Sequence, residues 1–397
     1  MYRGNVLKQR NKFMGHLYTI VYIFYVCSYI LTSTAGGIFD SYYLYAEKIT
    51  ILLMVTLLGL SILMFEKITI YKIFFAIFAL TITIISWQLS VISKNIVIIY
   101  LIILAYPREL DSKKLALKLS ISAFFFIIIV ITMCGIGVLP NRSFIQHNSM
   151  RYALGFTTPN AFANFVTVFV LTYLYSITDK FKKNSSANLI LFVIFIILCG
   201  VYLVTSSRGA LLFGCLGILI SVRKWKILDI KSWNYAPILS VILAVFISIA
   251  TTIYFSITNL KSEFLEVLFT GRLRYLELAY TTYGIKWFGN QVEFVSYNMS
   301  QLSNGIVKWF GVDNSYMYSL VCYGVISIIE IIAMYVYLNK KVLLDKEKFL
   351  LGYLTFFAIW GISENLMVNA ALNFSFVLFA KYLSCPIEKT SKRGIKL

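Results

Sequence analysis

The sequence predicts an all-α integral membrane protein of about twelve transmembrane helices with one large extracytoplasmic loop. Three observations predict it. Hydrophobic residues make up 59% of the 397-residue chain and charged residues only 13%, against about 25% charged in soluble domains. The apolar residues gather into twelve runs bounded by charges, and the basic residues favour every second intervening loop. A water-soluble fold around a single core is excluded, because twelve helices of ~20 residues would use most of this apolar content.

The runs cover residues 17–34, 50–65, 70–87, 95–106, 119–139, 162–177, 189–205, 211–222, 238–255, 316–338, 350–362 and 366–383. Several are shorter than ~20 residues, so their helices extend into polar flanks or dip only partly into the bilayer. The N-terminal 15 residues are basic and precede an apolar run too long for a signal peptide, which predicts an uncleaved first helix. The whole chain, 1–397, reads as a single polytopic membrane domain. Most connections are short. The exceptions are 140–161 and 256–315, and within the latter, 260–267 and 271–283 have helical apolar spacing that suits short interfacial helices.

Charge tests this topology. Lys and Arg number 36 and Asp and Glu 17, a net charge of +19. Placing both termini and alternate loops in the cytoplasm puts 26 of the 36 bases there, in segments 1–16, 67–72, 108–118, 180–183, 223–231, 340–348 and 381–397. Eight of the 17 acids share that side, so the charge divides into +18 inside and +1 elsewhere. In a soluble chain such a balance would indicate nucleic acid. Here it records orientation, and no nucleic-acid partner is implied. The six cysteines lack metal-like spacing and the histidines are only His16 and His147. No metal site or cofactor is predicted.

Against this bias, the outward-facing arginines Arg142, Arg151, Arg208, Arg272 and Arg274 are informative. A guanidinium holds phosphate in a fixed two-pronged geometry and stays charged. Arg208, in Thr205-Ser206-Ser207-Arg208-Gly209 between two short runs, is either a phosphate ligand or an interfacial arginine snorkelling to headgroups. Arg272 follows Thr270-Gly271, where Thr270 could cap a helix whose N-terminus attracts anions. Arg274 reads better as a solvated charge paired with Glu277. Arg151 opens the stretch running to Thr158-Pro159-Asn160, in which Thr158 and Pro159 suit a helix start. It is a third phosphate contact or an interface anchor.

The acids and amides have paired readings too. Asp313, before Asn314-Ser315-Tyr316, is a general base or a helix N-cap. His147-Asn148 is an acid/base candidate or a bystander. Glu330 and Glu364 lie at membrane depth, where ionisable groups are functional candidates. Asn365, Asn369 and Asn373 recur every four residues, as a polar stripe lining a cleft or joining helices.

In their order these residues resemble the Wzy-type oligosaccharide repeat-unit polymerases of the O-antigen ligase/polymerase superfamily. The resemblance rests on the R-x-x-x-G-x-x-x-x-N stretch from Arg151 to Asn160 and on the Thr205–Gly209 turn. Thr270-Gly271-Arg272 with Trp287-Phe288-Gly289, and Asp313-Asn314-Ser315-Tyr316, complete it. It covers roughly residues 140–340. The resemblance implies a bundle like that of multi-spanning glycosyltransferases, in the cytoplasmic membrane of a bacterium, building capsule, exopolysaccharide or O-antigen without a metal. It implies that Arg208 and Arg272, assisted by Arg151, hold the diphosphate of an undecaprenyl-diphosphate-linked glycan donor. Asp313 would deprotonate the acceptor, which is a second lipid-linked glycan. Asn160, Asn314, Tyr316, Glu364 and Asn365 would border the glycan cleft. Ligase relatives carry histidine near Asp313, so the base here departs from their pattern. Membrane lipid, a flippase and a chain-length regulator are the expected partners. The alternatives are a polysaccharide ligase of the same superfamily and a lipid-linked oligosaccharide flippase; a flippase should show two pseudo-symmetric halves, which this chain lacks.

Overall fold

A computed structural model describes residues 2–63, 68–146, 149–179, 186–221, 231–258, 272–295, 300 and 310–384. Among these, helices lie at every apolar run: α1 (Tyr2–Thr32), α2 (Asp40–Leu63), α3 (Ile70–Gln88), α4 (Lys94–Ala105), α5 (Ser112–Gly135), α6 (Pro159–Ile177), α7 (Ser186–Thr205), α8 (Arg208–Ser221) and α9 (Ala236–Thr258). They continue with α10 (Arg272–Tyr283), α11 (Ser315–Cys322), α12 (Gly324–Leu344), α13 (Lys348–Trp360) and α14 (Ser375–Ser384). Among the described residues, seven stretches are long and apolar enough to cross a membrane: Lys12–Thr32, Leu44–Leu63, Ile70–Gln88, Ser112–Gly135, Pro159–Ile177, Asn188–Thr205 and Trp233–Ser256. The chain is therefore an all-α protein of membrane-spanning character.

Burial sorts the helices. The α6 stretch is 78% buried and forms the central column, while α3 is 11% buried and turns an apolar face outward. Local chemistry sets several starts. Thr158 caps α6 through Ala161 N, with Pro159 in the first turn, as the sequence predicts. Asp111 accepts from Lys113 N at 2.9 Å and Lys114 N at 3.3 Å to start α5. The long 140–161 connection holds a short hairpin. Strands β1 (Ser143–Gln146) and β2 (Ser149–Tyr152) pair antiparallel, Phe144 opposite Arg151.

Two predicted runs are interrupted. The apolar run 316–338 becomes α11 and α12, broken at Gly324, where φ is +83°. Residues 284–290 of the large loop satisfy the backbone freed by the break. Val325 N donates to Lys286 O at 3.0 Å, Ile326 N to Trp287 O at 3.2 Å, and Asn290 N to Val321 O at 3.0 Å. A Cβ on Gly289 would overlap the Cys322 carbonyl, and one on Gly324 the Trp287 carbonyl, so backbone meets backbone here.

The second interruption lies between α13 and α14. The sequence spacing placed Asn365, Asn369 and Asn373 on one helical face, but residues 361–374 form consecutive turns. Asparagine side chains compete for the backbone there. Asn369 Oδ1 accepts from Ala371 N at 3.0 Å, and Asn373 Oδ1 from Ser375 N at 3.0 Å. Asn95 of α4 donates to Val368 O at 2.5 Å and accepts from Ala370 N at 3.2 Å. Irregular backbone survives among membrane helices where protein covers it and meets its hydrogen bonds.

Of the two helices expected in the large loop, 260–267 lies outside the described residues. The other is α10, which buries Leu273, Leu276 and Ala279 against the bundle.

Candidate functional site

Four separate stretches meet at one end of the bundle. The hairpin presents Arg151, the α7–α8 turn presents Arg208, α10 begins with Arg272, and the residues before α11 carry Asp313. The 361–374 turns bring Glu364 beneath them.

Arg272 is the hub. Its Nε lies 3.0 Å from Asp313 Oδ2 and its Nη2 2.8 Å from Glu364 Oε1, while Nη1 donates to the Ser363 carbonyl. Burial opposes the Arg272 charge, but Glu364 and Asp313 outweigh it and hold its pKa above the ordinary guanidinium value. Glu364 is fixed from its other side, its Oε2 accepting from Asn164 Nδ2 at 2.7 Å. Ser315 locks the same turn, its hydroxyl donating to Glu364 O at 2.6 Å and accepting from Leu366 N and Met367 N at 2.8 and 3.0 Å.

Arg151 is half-buried beside this hub. Its Nε donates to Thr205 O and its Nη2 to Asn160 Oδ1, both at 2.5 Å. Burial and repulsion from Arg272 lower its pKa, with Glu364 opposing. The Thr205 contact ties Arg151 to the turn that carries Arg208. Ser206 in that turn has φ of +50°, an uncommon conformation for a residue with a side chain. Arg208 itself is exposed and makes no hydrogen bond or ion pair with the described residues. Arg272 thus bonds both carboxylates, Arg151 stands beside Glu364, and Arg208 lies on the adjoining turn.

The remaining predicted residues divide. Asn160 and Glu364 belong to the network. Asn314 caps α11, accepting from Tyr316 N and Met317 N, and its amide donates to Ser248 Oγ at 2.8 Å and Ile362 O at 2.7 Å. The N-cap expected of Asp313 is thus supplied by its neighbour, and the Asp313 carboxylate bonds Arg272 instead. Tyr316 is fully buried with its hydroxyl on Ala358 O at 2.7 Å, so it supports the site from below. Arg274 is exposed and unpaired with Glu277. Glu330 stands apart, accepting from the Tyr100 hydroxyl at 2.7 Å beside an apolar groove of about 510 Å³ between α3, α4, α12 and α14. His147, Asn148, Thr270 and Gly271 lie outside the described residues.

Sequence reasoning missed Asn164 and Trp360. Asn164 is an amide one turn beyond Asn160 in the mainly apolar α6, and that i,i+4 spacing is the signal that could have found it. Its Oδ1, the Asn365 Oδ1 and the Trp360 Nε1 are buried without a hydrogen-bond partner among the described residues. Such atoms are uncommon and ask for a ligand or water. The indole nitrogen of Trp360 faces Gly209, next to Arg208. The arrangement is a cluster of guanidinium groups with a carboxylate pair, flanked by orphan amide oxygens that can accept from hydroxyl groups. Comparison of the chain with protein-family models, curated proteins and solved structures finds no match.

Proposed function

We propose that the protein is a membrane glycosyltransferase that polymerises polyprenyl-diphosphate-linked oligosaccharide repeat units at the outer face of a bacterial cytoplasmic membrane. In this reading the chain crosses the membrane twelve times, with both termini cytoplasmic and the Arg272 end outside. The observation that carries it is the pairing of Arg272 with Asp313 and Glu364, with Arg151 beside them and tied to the turn that exposes Arg208, at one end of an apolar bundle. Diphosphate is a leaving group whose charge grows as the sugar departs, and guanidinium groups stabilise that charge most in the transition state. The acceptor hydroxyl oxygen attacks the donor's anomeric carbon and gives its proton to Asp313, as the bond to the diphosphate oxygen breaks. Orphan amide oxygens of Asn164 and Asn365 suit sugar hydroxyls. The reading assigns the lipid chain to the apolar groove, one wall of which is Val368.

Deleting the gene and sizing the surface glycan tests the reading. A polymerase null displays single repeat units. A flippase null displays none, and a ligase null retains polymer on its lipid carrier; either would overturn the reading. Arg208→Ala should shift the surface glycan toward single repeat units at unchanged protein level, because Arg208 makes no hydrogen bond or ion pair among the described residues. Loss of one charge-assisted hydrogen bond is worth about 1.5–3 kcal/mol, so elongation should slow roughly ten- to hundredfold.

A further inference from the structure

The Arg272 guanidinium is already occupied in this structure. All three of its nitrogens have protein oxygen partners: Asp313, the Ser363 carbonyl and Glu364. Nη1 and Nη2 each keep a second N–H, but Nε has a single one, so a diphosphate can grip the Nε side of the fork only if Asp313 leaves, and the three partners are unequal. Glu364 is 13% exposed at its side chain, is held by Asn164 and sits on a turn locked by Ser315. The Ser363 carbonyl is part of the same turn. Asp313 is 35% exposed and its carboxylate has Arg272 as its one partner among the described residues. Its backbone lies in an irregular stretch just outside the cap of α11.

We propose that Asp313 is a displaceable carboxylate that holds the place of the donor diphosphate on Arg272. Diphosphate arriving on Arg272 Nε releases Asp313, and only then is its carboxylate free to accept the proton of the acceptor hydroxyl. The inference rests on the polymerase reading and adds an order to it: donor first, base second. An unloaded site has its base neutralised by the ion pair. Base and leaving group are thus exclusive partners of the Arg272 Nε, which ties proton abstraction to the presence of a leaving group. Glu364 stays in place throughout and fixes the Arg272 guanidinium.

Binding of inorganic diphosphate to the purified full-length protein in zwitterionic nanodiscs tests this by calorimetry. Asp313→Asn and Asp313→Ala should each bind at least tenfold more tightly than the parent, since the competitor for Arg272 is gone. Glu277→Gln, which removes a nearby charge on α10 that has no bond to Arg272, should change affinity less than twofold. In an Arg272→Ala background the gain from Asp313→Asn should vanish. Parent-like or weaker binding by both Asp313 variants would overturn the proposal, as would an equal gain from Glu277→Gln. Repeating the titration with anionic phospholipid in the nanodisc separates the two sources of phosphate. A persisting gain supports a diphosphate site, and a gain erased by the lipid assigns Arg272 to bulk headgroups instead. Glycan sizing separates this inference from the reading beneath it. Full-length polymer from Arg272→Ala sinks both. Polymer that needs Arg272, alongside unimproved binding by the Asp313 variants, sinks the displacement alone.

Discussion

Arg272→Ala is expected to destabilise the protein by about 3–5 kcal/mol, the usual cost of leaving one member of a buried ion pair alone, and to abolish polymer. Glu364 would remain largely buried with Asn164 as its one side-chain partner among the described residues, and the Ser363 carbonyl would lose its Arg272 donor. Arg272→Lys separates the two effects. A lysine keeps the charge but cannot span Asp313 and Glu364 with a rigid fork. It should restore much of the stability while elongation stays at least tenfold below the parent. Thermal unfolding in detergent and the size distribution of the surface glycan, measured on the same preparations, give both readouts. Equal stability of the parent and Arg272→Ala would mean that the observed network holds nothing together.

Gly324→Ala and Gly289→Ala are the second pair with large expected effects. At Gly324 a side chain meets two penalties, a left-handed backbone costing roughly 1–2 kcal/mol and overlap with the Trp287 carbonyl, costing roughly 1–3 kcal/mol. The total is about 2–5 kcal/mol, and Gly289 faces the same two costs against Cys322. Gly137 is the control. Its φ is +82°, but no atom lies within 4 Å of an added Cβ, so Gly137→Ala should cost only the backbone share, about 1–2 kcal/mol. Thermal shifts of all three variants, compared side by side, check whether the close approach or the dihedral angle dominates.

How far the sequence could be read depended on the range of each interaction. The start of α6 was legible because Thr158, Pro159 and the following apolar residues act within one turn. The unusual outward arginines were legible as exceptions to a charge rule. Their mutual arrangement was not, since Arg272 meets Asp313 across 41 residues of chain and Glu364 across 92. The asparagine spacing at 365, 369 and 373 failed for a physical reason: a helical period was assumed where amide side chains instead satisfy turns. Likewise the break at Gly324 is invisible in an apolar run, because its cause is a loop some 35 residues upstream. Local capping can be read residue by residue, whereas a hydrogen-bond donor from a distant segment cannot.

The junction of α11 and α12 takes its missing donors and acceptors from residues 284–290, so the two stretches are inheritable only together. A chimera that imports a foreign outer loop but keeps its own α11 and α12 would leave peptide groups orphaned among apolar side chains. The smallest transplantable block here runs from Gly284 through Ile326, junction included. Recombination breakpoints that yield working hybrids should accordingly fall on either side of that block and avoid its interior.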